Sequence, residues 1–199
     1  MLKRINIFLV TLLASSLFMF NLVSAATVRL PRTGQTVCYD ASGTVIACSG
    51  TGQDGDKLKG VAWPKPRFTD NSNGTVTDNL TGLIWLRNAN CFAAQDWATA
   101  LTSANTLASG ACGLNDGSTA GQWRLPNINE LGNLVDISRF DPALPSGHPF
   151  TSVQSNNYWS GSTDAFNTDF AWYAHVYDGI VYNGNKSFIY YVWPVRAGQ

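Results

Sequence analysis

Between residues 67 and 87 the sequence RFTDNSNGTVTDNLTGLIWLR alternates hydrophobic and polar positions with a period of two. The alternation is clearest at residues 75–77 and 83–86. It is typical of β-strands, because successive side chains of a strand point to opposite faces. The segments DNSNG and DNLTG interrupt it, and Asn, Asp and Gly favour turns. The pattern therefore predicts a β-meander.

The following segment, CFAAQDWATALTSANTLASGAC, changes to a helical spacing. The residues that recur every three or four positions are Trp97, Leu101, Ala104 and Ala108. Gly110 comes shortly after them, and glycine commonly ends a helix. We predict an amphipathic helix here.

A second helical pattern follows the sequence WRLPN. Its hydrophobic face consists of Ile128, Leu131, Leu134 and Val135. Asn127 stands at the expected N-cap, and Glu130, the only glutamate of the chain, comes three residues later. This spacing is that of a capping box, in which each residue satisfies a backbone N–H of the other. We therefore predict a helix that starts after Asn127 and a structural role for Glu130.

From residue 158 onwards the chain is rich in β-forming residues, in the segments NYWSGST, FAWYAHVY, IVYNG and SFIYYVWPVRAG. Asp178 and Gly179 separate the second and third segments, which predicts a two-residue hairpin turn. Strands, then two helices, then strands indicate an α+β fold. We expect the two helices to pack on small twisted antiparallel sheets.

The N-terminus has the pattern of a signal peptide. Lys3 and Arg4 precede a mostly apolar run over residues 5–23, and small residues lead up to Ala25. We predict cleavage after Ala25 and hence an exported protein in the periplasm, on the cell surface or secreted. An uncleaved anchor is the alternative, which the short and interrupted apolar run disfavours. No membrane insertion is expected after cleavage.

Residues 26–67 are expected to form an irregular N-terminal arm ahead of a domain over residues 68–197. Four cysteines follow the predicted cleavage site, at Cys38, Cys48, Cys91 and Cys112. An even number of cysteines in an exported chain favours disulfides. We predict the sequential pairing, since each pair then encloses one local unit: a hairpin in the arm and the first helix. The Gly-rich and Asp-rich segment GTGQDGD after the hairpin is expected to be a flexible loop.

The charge excludes some partners. Without Lys3 and Arg4 the chain has 11 basic and 13 acidic side chains, a net charge of about −2. Nucleic-acid binding needs a basic stripe, so no nucleic acid is expected. Anionic lipids and polysulfated sugars also require clustered Lys and Arg, so tight binding to either is not expected.

Two patterns indicate binding sites. In DNSNGTVTD, oxygen donors could come from Asp70, Ser72, Val76 and Asp78, as in calcium loops. The alternative is an Asx-rich hairpin turn that binds only its own backbone. The second pattern is a polar aromatic strand face that could stack on sugar rings, with the alternative of tyrosines buried with their hydroxyls bonded. Its predicted members are Tyr173, His175 and Tyr177, with Tyr182 and Asn183 across the hairpin.

Four ordered blocks carry a family resemblance: FTDNSNGTVTDNLTGLIWLRNANC, WRLPNINELGNLVD, YWSGST and YYVWPVRAGQ. They resemble the Lcl C-terminal domain (formerly DUF1566), over about residues 68–196. The resemblance implies a C-type-lectin-like fold, related to that of formylglycine-generating enzymes. It also implies scaffold roles for several motif residues, with Asp or backbone carbonyls as partners of the two arginines and the last strand beside the first. Those residues are Trp123, Arg124, Pro126, Asn127, Glu130 and Arg196.

Catalytic patterns are absent from the sequence. The chain has two histidines and one glutamate, without GxSxG, HExxH or P-loop segments. Ser160 would need His148 or His175 as a base. We therefore expect a non-catalytic, exported binding or adhesion module for a glycan or a surface protein. The alternatives are a secreted or periplasmic enzyme of the formylglycine-generator type, and a structural envelope or pilus-associated subunit.

Overall fold

The structure is a computed structural model, which describes residues 30–198. The predicted signal peptide, residues 1–25, lies outside the described residues. The predicted α+β class is confirmed, but the described residues contain three helices where two were predicted. The helices are α1 (Asp54–Lys57), α2 (Trp97–Thr106) and α3 (Ile128–Leu134). The strands are β1 (Cys38–Tyr39), β2 (Val45–Ile46), β3 (Phe68–Asp70), β4 (Thr75–Asp78), β5 (Ile84–Leu86), β6 (Ala94–Gln95), β7 (Asn157–Thr163), β8 (Phe170–His175), β9 (Ile180–Asn185), β10 (Tyr190–Tyr191) and β11 (Val195–Arg196).

The N-terminal arm contains the predicted cross-linked hairpin. Strands β1 and β2 pair, and a disulfide joins Cys38 to Cys48. The flexible loop predicted after it is wrong in part, because residues 54–57 form the one-turn helix α1. A Cβ at Gly55 would lie 2.9 Å from the Cys38 sulfur, so this glycine lets α1 approach the disulfide closely.

A buried ion pair fastens the end of the arm to the body. The Arg67 guanidinium donates to both carboxylate oxygens of Asp78, at 2.8 and 2.9 Å, and also to the Asn133 carbonyl at 2.8 Å. Arg67 is 5% exposed and Asp78 1%. The guanidinium also lies 4.7 Å from the Trp63 ring. Arg67 therefore ties the arm, the β4 hairpin and the end of α3 together.

The first sheet of the body has the order β11-β5-β4-β3. The chain thus brings its last strand into the sheet that its early strands form. The resemblance placed the last strand beside the first, but β11 pairs with β5, at the opposite edge from β3. Trp85 from β5 and Trp193 just before β11 are fully buried, with ring centroids 5.8 Å apart.

The second sheet has the order β6-β10-β7-β8-β9. It is not wholly antiparallel, because β10 pairs with β7 in parallel. Helix α3 covers one face, where Leu131 and Leu134 share a cluster with Ala174 of β8. Helix α2 covers part of the other face, where Ala100 and Ala104 pack with Trp159. Small residues on α2 leave room for the large indole.

Helix α2 is shorter than its sequence pattern predicted. It ends at Thr106, so Ala108 lies beyond it. Leu107 turns to an extended conformation and is buried in the main core, which explains the early end. The predicted second disulfide, Cys91–Cys112, is confirmed and brackets the helix. None of the helices between residues 30 and 198 is long and apolar enough to cross a membrane.

The capping box at the start of α3 is confirmed. Asn127 Oδ1 accepts from the Glu130 N–H at 2.9 Å, and Glu130 Oε2 accepts from the Asn127 N–H at 2.8 Å. Glu130 also receives two 2.7 Å hydrogen bonds from Arg124, a fork-to-fork pair. Arg124 bonds the Leu125 carbonyl, as expected, but its main partner is glutamate and not aspartate. Burial raises the pKa of Glu130, yet the bonds from Arg124 and Asn127 outweigh it and the net pKa is lowered.

The remaining motif residues also brace the body. Trp123 is fully buried, and its indole N–H donates to Ser118 Oγ at 2.9 Å. Arg196 lies over the Trp123 ring at 5.3 Å and donates to Asp116 at 3.1 Å, the kind of partner that the resemblance implied. Backbone bonds join Arg124 to Val195 in both directions, at 2.9 and 3.1 Å. The buried Pro126 accepts from the Gly161 N–H at 2.7 Å.

Candidate functional site

A group of aromatic side chains lies on the face of the five-stranded sheet that α2 covers in part. Strand register places Trp159 opposite Tyr173 and Tyr173 opposite Tyr182, so the three share this face. Tyr190 of β10 joins them, at 4.4 Å from Trp159 and 4.8 Å from Tyr173 between ring centroids. Phe188 lies 5.9 Å from Tyr190. We call these five residues the aromatic surface.

The aromatic surface changes from buried to exposed across the sheet. Trp159 is fully buried beneath α2, and Tyr173 and Tyr190 are half-buried. Tyr182, on the edge strand β9, is 57% exposed, and Phe188 is exposed as well. The inner rings thus form a rigid base, and the outer rings present their faces to solvent.

Gly184 allows the rings to pack across β9. A Cβ at this position would meet both the Tyr173 ring and the Tyr190 hydroxyl at 3.1 Å. That separation is tighter than ordinary van der Waals contact, so a larger residue would displace the rings. A glycine inside a strand often marks such a close approach.

Polar groups surround the rings. Burial raises the pKa of the Tyr190 hydroxyl, and the neighbouring Tyr173 adds to the effect, so Tyr190 is a neutral hydrogen-bonding group. Asn157 and His175 are paired across β7 and β8, on the same face. His175 Nδ1 lies 2.9 Å from Asp178 Oδ1, which leaves Nε2 as its other polar atom.

Helix α2 and its flanking loops form the other border of the surface. The Asp96 side chain caps α2 by accepting from the Ala98 and Thr99 N–H groups. The Trp97 indole donates to the Ser160 carbonyl at 2.8 Å, which fixes the helix against β7. Lys186 lies over the Trp97 ring at 4.2 Å and provides a positive charge at this border.

The structure brings together three of the five residues predicted for this face: Tyr173, His175 and Tyr182. Tyr177 lies beyond β8 in the hairpin loop, beside His175 at 5.8 Å. Asn183 faces the opposite side, since it follows Tyr182 in the same strand, and it donates to Asp164. Its inclusion was therefore wrong.

The hairpin loop itself also differs from the prediction. It has four residues, 176–179, in place of a two-residue turn. The Gly179 N–H donates to the His175 carbonyl at 2.8 Å, and Gly179 has a positive φ of 80°. The sequence pattern identified the hairpin and misplaced the strand ends.

Trp159, Phe188 and Tyr190 were not predicted as members of the surface. Their segments, NYWSGST and SFIYY, are rich in aromatic residues, which was the available signal. Their placement depends on the parallel pairing of β10 with β7, between segments about thirty residues apart. Local periodicity does not report such a pairing.

The predicted calcium ligands do not converge on one point. The β3–β4 register puts Asp70 opposite Val76 but Asp78 opposite Phe68, at the other end of the hairpin. Asp70 accepts from the Ser72 N–H at 2.9 Å, which is the Asx turn of the alternative interpretation. Both carboxylate oxygens of Asp78 accept hydrogen bonds from Arg67. Within residues 30–198 no group of three or more His, Cys, Asp or Glu is placed to hold a metal ion.

The family model of the Lcl C-terminal domain matches residues 74–196, which is more than half of the chain. The chain belongs to the Lcl C-terminal domain family. Its Lcl C-terminal domain runs from the β3–β4 turn to β11 and contains α2, α3, the Cys91–Cys112 disulfide and the whole aromatic surface. The arm with the Cys38–Cys48 disulfide precedes the matched residues. No curated protein matches the chain.

Proposed function

We propose that this chain is an exported, non-catalytic binding or adhesion module on a C-type-lectin-like scaffold, and that its aromatic surface binds a glycan. The observation that carries the proposal is the graded aromatic surface: the exposed Tyr182 lies 6.5 Å from the half-buried Tyr173 between ring centroids, and Tyr173 packs in turn on the half-buried Tyr190. Aromatic faces supply large contact area at low entropic cost, because the rings have few rotatable bonds.

The scaffold assignment is supported by the arrangement of elements. Early strands and the last strand share the four-stranded sheet, and two helices pack beside the sheets. Export is supported by the two disulfides, because disulfides persist in oxidising compartments.

A non-catalytic role is supported by the state of the reactive side chains. All four cysteines of the chain are in disulfides, so the thiol pair of a formylglycine-generator type of enzyme has no counterpart. Ser160 is fully buried, and its hydroxyl donates to the Trp172 carbonyl at 2.6 Å, so its proton is shared with a carbonyl oxygen and not with a base. His148 has a pKa lowered by burial and lies outside the aromatic surface.

The chemistry of the surface favours a neutral glycan. Its rings and hydroxyls match the apolar faces and hydroxyls of pyranose rings. The charged side chains at the borders of the surface have both signs: Lys186 follows β9, Asp178 precedes it, and Asp96 caps α2. A polysulfated sugar would need several cations together.

A glycan array followed by calorimetry tests the proposal. Tyr182→Ala should weaken binding of any neutral glycan found by about tenfold or more. Tyr39→Ala is a matched control, since Tyr39 is 48% exposed but lies in the N-terminal hairpin; it should bind as the wild type does. Equal affinity of the Tyr182 variant and the wild type would contradict the proposal.

A surface protein as the partner is the second candidate. It is favoured by the exposed apolar side chains around the hairpin tip, such as Phe140 and Tyr177. The centroids of these two rings lie 6.3 Å apart. A blank glycan array together with retained binding to cells, lost in Phe140→Ser, would select this candidate.

A further inference from the structure

Strand β9 is an edge strand whose outer side has no partner among the described residues. The sequence IVYNGN carries no charge and no proline, and it is rich in β-forming residues. Natural proteins usually protect such an edge with charges, proline or a covering segment, because an open edge pairs readily with another strand.

The strand register determines which residues of β9 direct their backbone N–H and C=O groups toward β8 and which direct them outward. The Lys186 N–H donates to the Asp169 carbonyl at 2.9 Å, directly beyond the paired residues Asn185 and Phe170. Hydrogen-bonded pairs alternate along an antiparallel ladder, so residues 180, 182 and 184 direct their backbone groups to β8. Val181 and Asn183 direct theirs outward. Within residues 30–198 no backbone group from outside the sheet bonds either residue.

We propose that β9 pairs antiparallel with β9 of a second copy of this chain, with the two-fold axis at Asn183. Asn183 then forms a hydrogen-bonded pair with its own counterpart, and Val181 pairs with Asn185 of the other copy. Tyr182 stands opposite Gly184. The pairing joins two five-stranded sheets into one continuous sheet through a self-complementary contact.

Charge at the ends of β9 selects a second copy as the occupant. Asp178 precedes the strand and Lys186 follows it. Both residues lie in the turns that flank the strand, so antiparallel pairing brings the end with Asp178 to the end with Lys186 of the other copy, twice per dimer. A partner strand with the same charge at both ends would place like charges together at one of them, and an uncharged strand would gain no attraction.

Exposed apolar residues show the same complementarity. Tyr177 and Ile180 are exposed at one end of β9, and Phe188 and Ile189 are exposed at the other. Antiparallel pairing brings these two ends together across the axis. The exposed apolar residues at both ends of β9 therefore become buried against each other when the dimer forms.

The dimer extends the proposed function without depending on it. Tyr182 remains on the sheet face, so the two aromatic surfaces become neighbours on one continuous face. Two linked sites hold a multivalent glycan more strongly than either site alone. Assembly can be measured without any ligand, so failure of the dimer and failure of glycan binding are distinguishable.

Sedimentation velocity of the full processed chain, from about 1 µM to 1 mM, measures the dimer. Asp178→Lys alone and Lys186→Asp alone should each weaken dimerisation by about tenfold, because each places like charges together twice. An equimolar mixture of the two variants should restore it, since opposite charges then meet at both ends. A monomeric wild type at every concentration, or no recovery in the mixture, would overturn the proposal.

A cross-linking experiment tests the register. Asn183→Cys on the two-fold axis places two α-carbons about 5.5 Å apart, within the range of a disulfide. This variant should form a covalent dimer in mild oxidant, whereas Asn105→Cys, an exposed asparagine on α2, should not. Equal cross-linking of the two variants would refute the pairing at β9. Near-UV circular dichroism confirms that both variants are folded.

Discussion

Replacing Arg67 by methionine should destabilise this protein more than any other single arginine substitution between residues 30 and 198. The change removes two hydrogen bonds to Asp78, one to the Asn133 carbonyl and the stacking on Trp63. Breaking a buried ion pair costs about 3–5 kcal/mol, because the remaining charge stays buried. Asp78 keeps bonds from the Leu80 N–H and the Thr81 hydroxyl, both at 2.9 Å, so we expect the lower end, about 3 kcal/mol.

Urea unfolding of the oxidised protein, followed by tryptophan fluorescence, measures this loss directly. It corresponds to a fall in Tm of roughly 6–12 °C for a chain of this length. Arg139→Met is the matched control: Arg139 lies 3.6 Å from Asp136 with a half-exposed side chain, and its loss should cost less than about 1 kcal/mol.

A double variant, Arg67→Met with Asp78→Leu, tests the cause. If the buried unpaired carboxylate dominates, the double variant loses clearly less stability than the sum of the two single variants. Strictly additive losses, or a loss below about 1 kcal/mol for Arg67→Met, would refute the reasoning. In that case the arm is attached mainly by apolar contacts.

Three further predictions concern Glu130 of the capping box, the second disulfide and a close backbone approach. Glu130→Gln should lower the free energy of unfolding by about 1 kcal/mol at pH 7. Because folding lowers the pKa of Glu130, its stabilising contribution is complete above the unfolded pKa and is lost as the pH falls through the folded pKa. The acid unfolding curves of the variant and the wild type should therefore converge. Removing Cys91–Cys112 by double alanine substitution should cost about 3 kcal/mol in denaturant unfolding, and reduction should then have no further effect on that part of the protein. Gly74→Ala should lower Tm strongly, since φ is +85° and the new Cβ would lie 2.3 Å from a backbone oxygen. Gly82→Ala is the control, because φ is +74° but the space around its Cβ is open, so it carries only the backbone strain. Equal losses of Tm in the two variants would contradict the role of the steric clash.

Local signals in the sequence predicted local structure well. The capping box of Asn127 and Glu130 and both disulfide pairs are confirmed, because each depends on residues close together in the chain. The α+β class and the family resemblance are also confirmed, because both depend on the order of sequence blocks along the chain. The signal peptide stays a prediction.

Non-local pairings explain two of the errors. Asp78 looked like a metal ligand because its partner, Arg67, lies eleven residues away in a segment predicted to be an arm. Trp159 and Tyr190 meet only because β10 runs parallel to β7. Asn183 was assigned to the wrong face through neglect of strand alternation, which the sequence itself contains.

The position of β11 has a consequence for how this protein is made. Val195 bonds Arg124 on one side and pairs with Trp85 on the other, and Trp193 fills the core beside it. The body therefore cannot close until residues 193–196 have been synthesised. While β11 has not yet emerged from a ribosome or a translocation pore, Trp85 of β5 lacks its partner strand, so closure of the body follows the synthesis of β11.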